Sequence, residues 1–232
     1  GPAGAATAYW AATAGLDTVV VERKTFPREK TCGDALTPRA VHQLEAMGLG
    51  DSLGRYHRFD GLRAIAHGRT LEMAWPDHPV FPSYGYVVRR CDLDTFVMRH
   101  AELAGATLLE GTDAIRPIDD QPPAANGSGP SPQPGISGAV VLDKASGVER
   151  PIRARYVVIA DGANSRFGRV LGTSRDRAYP MGMAIRGYFE SPMHDDPWIE
   201  SSLDVRDRQG SAMPGYGWIF PVGHGTINVG IG

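Results

Sequence analysis

Cysteine is nearly missing from the 232-residue sequence, with Cys32 and Cys91 the only two. Two thiols cannot build the cross-braced framework of a small secreted domain and are more natural as free thiols in a reducing compartment. No run approaches the roughly 20 consecutive apolar residues of a membrane-spanning helix, so any membrane contact is expected to be peripheral. Charge of one sign is lacking too: 24 Lys and Arg stand against 26 Asp and Glu, a formal net charge of -2. That balance removes the general electrostatic reason to expect DNA or RNA as a partner. No metal site is expected.

What the sequence does have is 42% hydrophobic residues, enough for a sizeable core. The opening "GPAGAATAYWAATAGLDTVVVERK" reads as turn, small-residue helix closed by Gly15, and β-branched strand over Thr18 to Val21, buried and parallel. Gly1 and Gly4 fit the second and third glycines of G-x-G-x-x-G. The second lets backbone approach a pyrophosphate, and the third lets helix and sheet pack closely. Glu22 stands where a carboxylate accepts hydrogen bonds from an adenosine ribose. The plainer alternative is an ordinary helix-strand turn with a surface glutamate. The first glycine and its preceding strand are missing, so the sequence is expected to be part of a longer protein.

Further along, Thr37 is a candidate N-cap with Pro38 at the first helical position, and Val41, Leu44 and Met47 follow at helical spacing. Gly61 to Val88 reads as short strands, "RRCDLDTFVMRHAELAG" as an amphipathic helix ending at Gly105, and "ATLLEGTDAIRPI" as two strands. The Pro/Gly/Ser-rich stretch over 119–138 is expected to be a flexible surface insertion. "RARYVVIADGANSRFGRVLG" repeats the logic of strand, tight turn and helix, which puts Asp161 at the carboxyl end of a buried strand and Gly162 in the turn. The remainder reads as a β meander.

Several side chains are candidates for chemistry. Arg90, at a strand-to-helix junction, can pair with phosphate oxygens, or else form a surface salt bridge with Asp94. Cys32 stands beside Gly33 and Asp34, behind Arg28 and Lys30, and that electropositive setting would activate a thiol, or else the lone cysteine is inert packing. Cys91 reads as packing. Tyr216, Trp218 and Phe220 recur at period two, so on a strand they share one face and make a continuous apolar wall, or simply part of a sheet core.

The stretches "GPAGAATAYWAATAGLDTVVVERKTFPREKTCGD", "VVRRCDLDTF" and "YVVIADGANSRFGRVLG" resemble the FAD-dependent oxidoreductases of the p-hydroxybenzoate hydroxylase type, and more closely their geranylgeranyl reductase branch. "PGYGWIFPVGHGTINVGIG" is similar to that branch's pattern P-x-x-Y-x-W-x-F-P with a later G-x-G, with Pro214 one residue nearer the tyrosine. The resemblance implies an α/β fold: a three-layer Rossmann-like FAD-binding domain over 1–58 and 86–175, interleaved with an antiparallel-sheet substrate domain over 59–85 and 176–232. It also implies that the first strand and the C-terminal part of the FAD site are absent from this sequence.

The resemblance further implies that Gly1, Pro2, Ala3, Gly4, Glu22, Arg23, Cys32, Gly33, Arg90, Asp161 and Gly162 contact FAD. Cys32 would face the flavin and take part in catalysis, and Tyr216, Trp218 and Phe220 would line the substrate. The implied activity is saturation of an isoprenoid double bond by reduced FAD. Implied substrates are menaquinone tails above all, archaeal-type lipids, or the geranylgeranyl group of chlorophyll precursors. An electron donor for FAD and a location at the cytoplasmic face of a membrane or in the cytoplasm go with it. A flavin monooxygenase or halogenase shares the fingerprint, Arg90 and Asp161-Gly162 features, and a non-catalytic flavoprotein module is a further alternative.

Overall fold

A computed structural model gives the structure, which describes residues 1–119, 135–173, 178–179 and 181–232. In chain order the elements are α1 (Pro2–Thr13), β1 (Val19–Val21), β2 (Ala35–Leu36), α2 (Pro38–Ala46), α3 (Gly50–Leu53), β3 (His57–Phe59), β4 (Gly61–Ala66), β5 (Arg69–Ala74), β6 (Gly85–Val87) and α4 (Arg90–Leu103). Then follow β7 (Thr107–Leu109), β8 (Thr112–Asp119), β9 (Ile136–Asp143), β10 (Glu149–Arg153), α5 (Arg166–Val170), β11 (Ile185–Glu190), β12 (Trp198–Ser202), β13 (Gly217–Gly223) and β14 (Thr226–Ile231). Among the described residues no helix is long and apolar enough to cross a membrane.

The chain forms two compact units, Gly1–Arg28 with Asp94–Ala178, and Glu29–Leu93 with Tyr179–Gly232. The expected boundaries placed 29–58 and 86–93 with the fingerprint, whereas these stretches pack in the second unit. The reason is strand pairing: β2 and β3 both flank β6, and Phe59 and Val87 from that small sheet join Ile199 and Val222 in one core cluster.

In the first unit β1 and β7 pair in parallel, Val19 opposite Thr107, and β8, β9 and β10 form an antiparallel sheet. Gly15 closes α1 with φ 78° and Gly105 closes α4 with φ 108°, conformations that a Cβ would disfavour. Two expectations of burial fail. Val19 is exposed on β1, and the run Tyr156 to Ala160 is not a buried strand, with Tyr156 85% exposed and Val158 64%. No described strand pairs with that run, and only Val157 and Ala160 in it are partly buried. The insertion expected over 119–138 falls mostly outside the described residues. At its edges Asp119 of β8 pairs with Ile136 of β9.

In the second unit six strands run in the order β11-β14-β13-β12-β4-β5. The meander is antiparallel as read, but β12 joins β4 in parallel, so the sheet is mixed and not purely antiparallel. Helix α2 starts at Pro38 after Thr37 in extended conformation, and Val41, Leu44 and Met47 are buried on one face, as their spacing requires.

Candidate functional site

Within the first unit, α1 begins at Pro2, whose missing N–H costs nothing at that position. No acidic residue occupies the first turn itself, and no side chain caps it. A Cβ on Gly4 would lie 3.4 Å from the Ala160 Cβ, so glycine there allows the helix to approach the segment leading into Asp161 and Gly162. Gly162 adopts φ 89° and makes the expected turn, and both it and Asp161 are exposed. Arg23 and Ala3 are exposed as well, and the Arg23 carbonyl accepts from Lys144 Nζ at 3.3 Å.

Glu22 follows β1, with Oε2 lying 3.8 Å from the Gly1 nitrogen, so strand end and fingerprint turn meet. Its carboxylate also accepts from the Lys24 amide at 3.1 Å and pairs with Arg28 Nη2 at 3.1 Å. Arg28 Nη1 reaches Asp94 Oδ2 at 2.9 Å, and the Asp94 side chain is fully buried. This corrects one reading: Arg28 is committed to two carboxylates and is not a free cation for a thiol.

Within the second unit, Cys32 and Gly33 lead into β2 through Asp34, which is buried at φ 71°. A Cβ on Gly33 would stand 2.6 Å from Phe220 Cε2 and 3.6 Å from Trp218 Nε1, so only glycine lets this turn lie on the aromatic strand. The aromatic residues form a ladder as read. Ring centroids are 5.9 Å apart from Tyr216 to Trp218 and 6.2 Å from Trp218 to Phe220. They differ in burial, however: Tyr216 is 44% exposed and Trp218 only 7%. Trp218 Nε1 donates to Asn228 Oδ1 at 3.0 Å.

Asp34 Oδ2 accepts from the Tyr188 hydroxyl at 2.5 Å and from Asn228 Nδ2 at 2.8 Å, while Oδ1 is buried without a partner among the described residues. Burial pushes the Asp34 carboxyl above its usual range, and the bonds from Tyr188 and Asn228, the Arg186 charge and the Arg90 backbone amide offset this only in part. Tyr188 is driven well up, first by burial and then by Asp34. The guanidinium carbons of Arg186 and Arg89 lie 4.2 and 4.7 Å from its ring centroid. Cys91, in contrast, is a quiet thiol: burial, with Asp92 and Glu29 adding, pushes it up to about 11.

Arg90 opens α4 directly after β6, the predicted strand-to-helix junction, and is half-buried. Sequence reasoning named Asp34 only as a neighbour of Cys32, and it missed Tyr188 and Asn228. A signal for Asn228 existed in "TINVGIG", a single amide inside an apolar strand.

A family profile described as an FAD binding domain matches residues 1–216. The chain belongs to this FAD-binding family. FAD is accordingly its cofactor, and the uncapped start of α1, the Gly4 approach and the Glu22 carboxylate suit the adenosine diphosphate part of such a group. The chain is 43% identical to menaquinone reductase of Mycobacterium tuberculosis over 232 residues, covering 100% of this chain and 53% of the relative. Its fold matches a solved geranylgeranyl bacteriochlorophyll reductase-like protein of Thermoplasma acidophilum with TM-score 0.75 at 24% identity, over 100% of this chain and 54% of that one. A myxobacterial chondrochloren halogenase matches with TM-score 0.74 at 23% identity, over 100% and 50%. The chain spans about half the length of the curated relatives it matches.

Proposed function

We propose that this FAD-binding protein is a prenyl reductase that saturates an isoprenoid double bond, with the polyprenyl tail of a menaquinone as its substrate. The observation that carries the reading is the aromatic ladder of Tyr216, Trp218 and Phe220 lying against the Cys32-Gly33 turn. A polyprenyl tail offers only methyl, methylene and alkene surface, which an aromatic wall covers and a polar pocket does not. The 43% identity to a menaquinone reductase supports the choice of substrate.

When bound, reduced FAD would supply a hydride to the alkene carbon that gains cationic character, while a positioned acid gives a proton to the other alkene carbon, so the tail gains two hydrogens in all. In the first unit Gly1, Pro2, Ala3 and Gly4 would hold the pyrophosphate end of the cofactor, Glu22 with Arg23 the adenosine side, and Asp161 and Gly162 a further part of it; in the second unit Arg90 is a candidate for its phosphate oxygens. Cys32 stands on the turn that meets the ladder and is the catalytic candidate for delivering the proton; Tyr216 and an ordered water are the alternatives. Tyr216 and Phe220 orient the chain and exclude water from the reacting bond, with buried Trp218 packed between them, the positioning role that sets the rate of such a step. A water-insoluble substrate places the protein peripherally at the cytoplasmic face of a membrane, where an electron donor re-reduces the flavin.

The deciding experiment incubates the flavin-loaded protein anaerobically with reduced FAD and menaquinone and follows the quinone by mass spectrometry. A gain of two hydrogens is expected. No gain of hydrogen there, with a hydroxylated or halogenated product in a parallel incubation under air with halide, overturns the reading in favour of a monooxygenase or halogenase.

A further inference from the structure

Asn228 on β14 is fully buried, and its amide is used at both ends. Oδ1 accepts from Trp218 Nε1 at 3.0 Å, and Nδ2 donates to the Cys32 carbonyl at 3.1 Å and to Asp34 Oδ2 at 2.8 Å. The indole can only donate, and the carbonyl and the carboxylate accept, so the amide has one workable orientation. Turned over, it would set donor against donor and acceptor against acceptor. In the register of β13 and β14, Asn228 stands opposite Phe220 and Trp218 opposite Gly230, which puts the amide diagonal to the indole on one sheet face. The turn it holds needs holding, since Asp34 sits at φ 71°, a conformation that persists only where the surroundings over-determine it.

We propose that Asn228 is the positioning residue of the site, tying the Cys32-Gly33 turn to Trp218 so that the thiol and the aromatic wall are set as one unit. Only the catalytic consequence of this tie rests on the prenyl reductase reading. Asp34 and Tyr188 act behind it: the Tyr188 bond fixes the carboxylate that receives one Asn228 proton, which in turn leaves the other for Cys32. Cutting the tie at Nδ2 therefore frees the turn, while the acceptor for Trp218 stays in place.

The tie is tested first in the unaltered protein by deuterium exchange of indole N–H groups. The Trp218 indole should exchange at least about tenfold more slowly than that of the exposed Trp10, the factor one ordinary hydrogen bond supports, and equal rates overturn the proposal. Asn228→Asp then keeps an acceptor for Trp218 and replaces the two amide protons by at most the one that a carboxyl pair with Asp34 shares, so the Cys32 carbonyl loses its donor. Alkylation of Cys32 by iodoacetamide, relative to Cys91 in the same molecule, should rise about tenfold, with Trp218 still protected. An unchanged ratio overturns the positioning role. Asn228→Ser gives the same ratio should the aspartate variant not fold. Flavin content should stay full while prenyl turnover falls. Exchange and alkylation need no prenyl substrate, so a protein that holds its tie yet reduces no prenyl chain overturns the reductase reading and leaves Asn228 standing.

Discussion

The Tyr188 hydroxyl donates to Asp34 Oδ2 across 2.5 Å, deep in the second unit. Burial raises the folded-state pKa of Asp34 above its unfolded value, so the folded state holds its proton more tightly than the unfolded state. The stability this contributes is present at pH below the unfolded carboxyl value and is lost as pH rises through the folded one. Each pH unit between the two is worth about 1.4 kcal/mol. Asp34→Asn, with no proton to lose, should therefore gain in melting temperature relative to the unaltered protein as pH rises from about 4 to 7. Melts across that window check it, and parallel profiles would show that the carboxyl is not perturbed.

Removing Arg28 should be among the most damaging single changes in the first unit. Its guanidinium lies between Glu22 and the fully buried Asp94, so Arg28→Leu takes a bonded cation away from a buried carboxylate. A loss of about 3–5 kcal/mol is expected in denaturant melts. Asp94→Asn in the same background should recover part of it, because the stranded charge is then gone; no recovery would locate the loss in packing alone.

Cys32 and Cys91 should separate cleanly. Cys32→Ser keeps the shape of the turn on the ladder but changes acidity and polarisability, so flavin content should stay near normal while prenyl turnover falls. Cys91→Ser should be silent, since that thiol is held protonated by its surroundings. Absorbance of released flavin and turnover, measured on the same preparations, compare the two. Identical behaviour would remove Cys32 from the chemistry.

The ladder has a core end and an open end. Trp218→Ala empties a buried, hydrogen-bonded position and should cost about 3–5 kcal/mol, lowering stability, flavin retention and activity together. Tyr216 is 44% exposed, so Tyr216→Ala should change stability by less than about 0.5 kcal/mol. Loss of turnover on long polyprenyl substrates with melting temperature and flavin content intact is the expected result. A Tyr216→Ala protein with unaltered turnover would mean that the wall ends at Trp218.

The sequence by itself determined what local chemistry dictates. Gly1, Gly4 and Glu22 announced a dinucleotide turn because few other residues allow that backbone approach. Pro38, Gly15 and Gly105 marked helix ends through their own φ preferences, and period two put Tyr216, Trp218 and Phe220 on one face. Only the tertiary structure decided which partners the charged and polar side chains take, because a hydrogen bond depends on distance in space. Arg28, read beside Cys32, turned to Glu22 and Asp94 instead. Asn228, 196 positions from Cys32 in the chain, became its carbonyl's donor. Periodicity also misjudged Tyr156 to Ala160, whose apolar pattern suits burial while no described strand comes to cover it. A side chain's pattern states what surface it would bury, and burial itself requires a second surface that only the folded chain can bring.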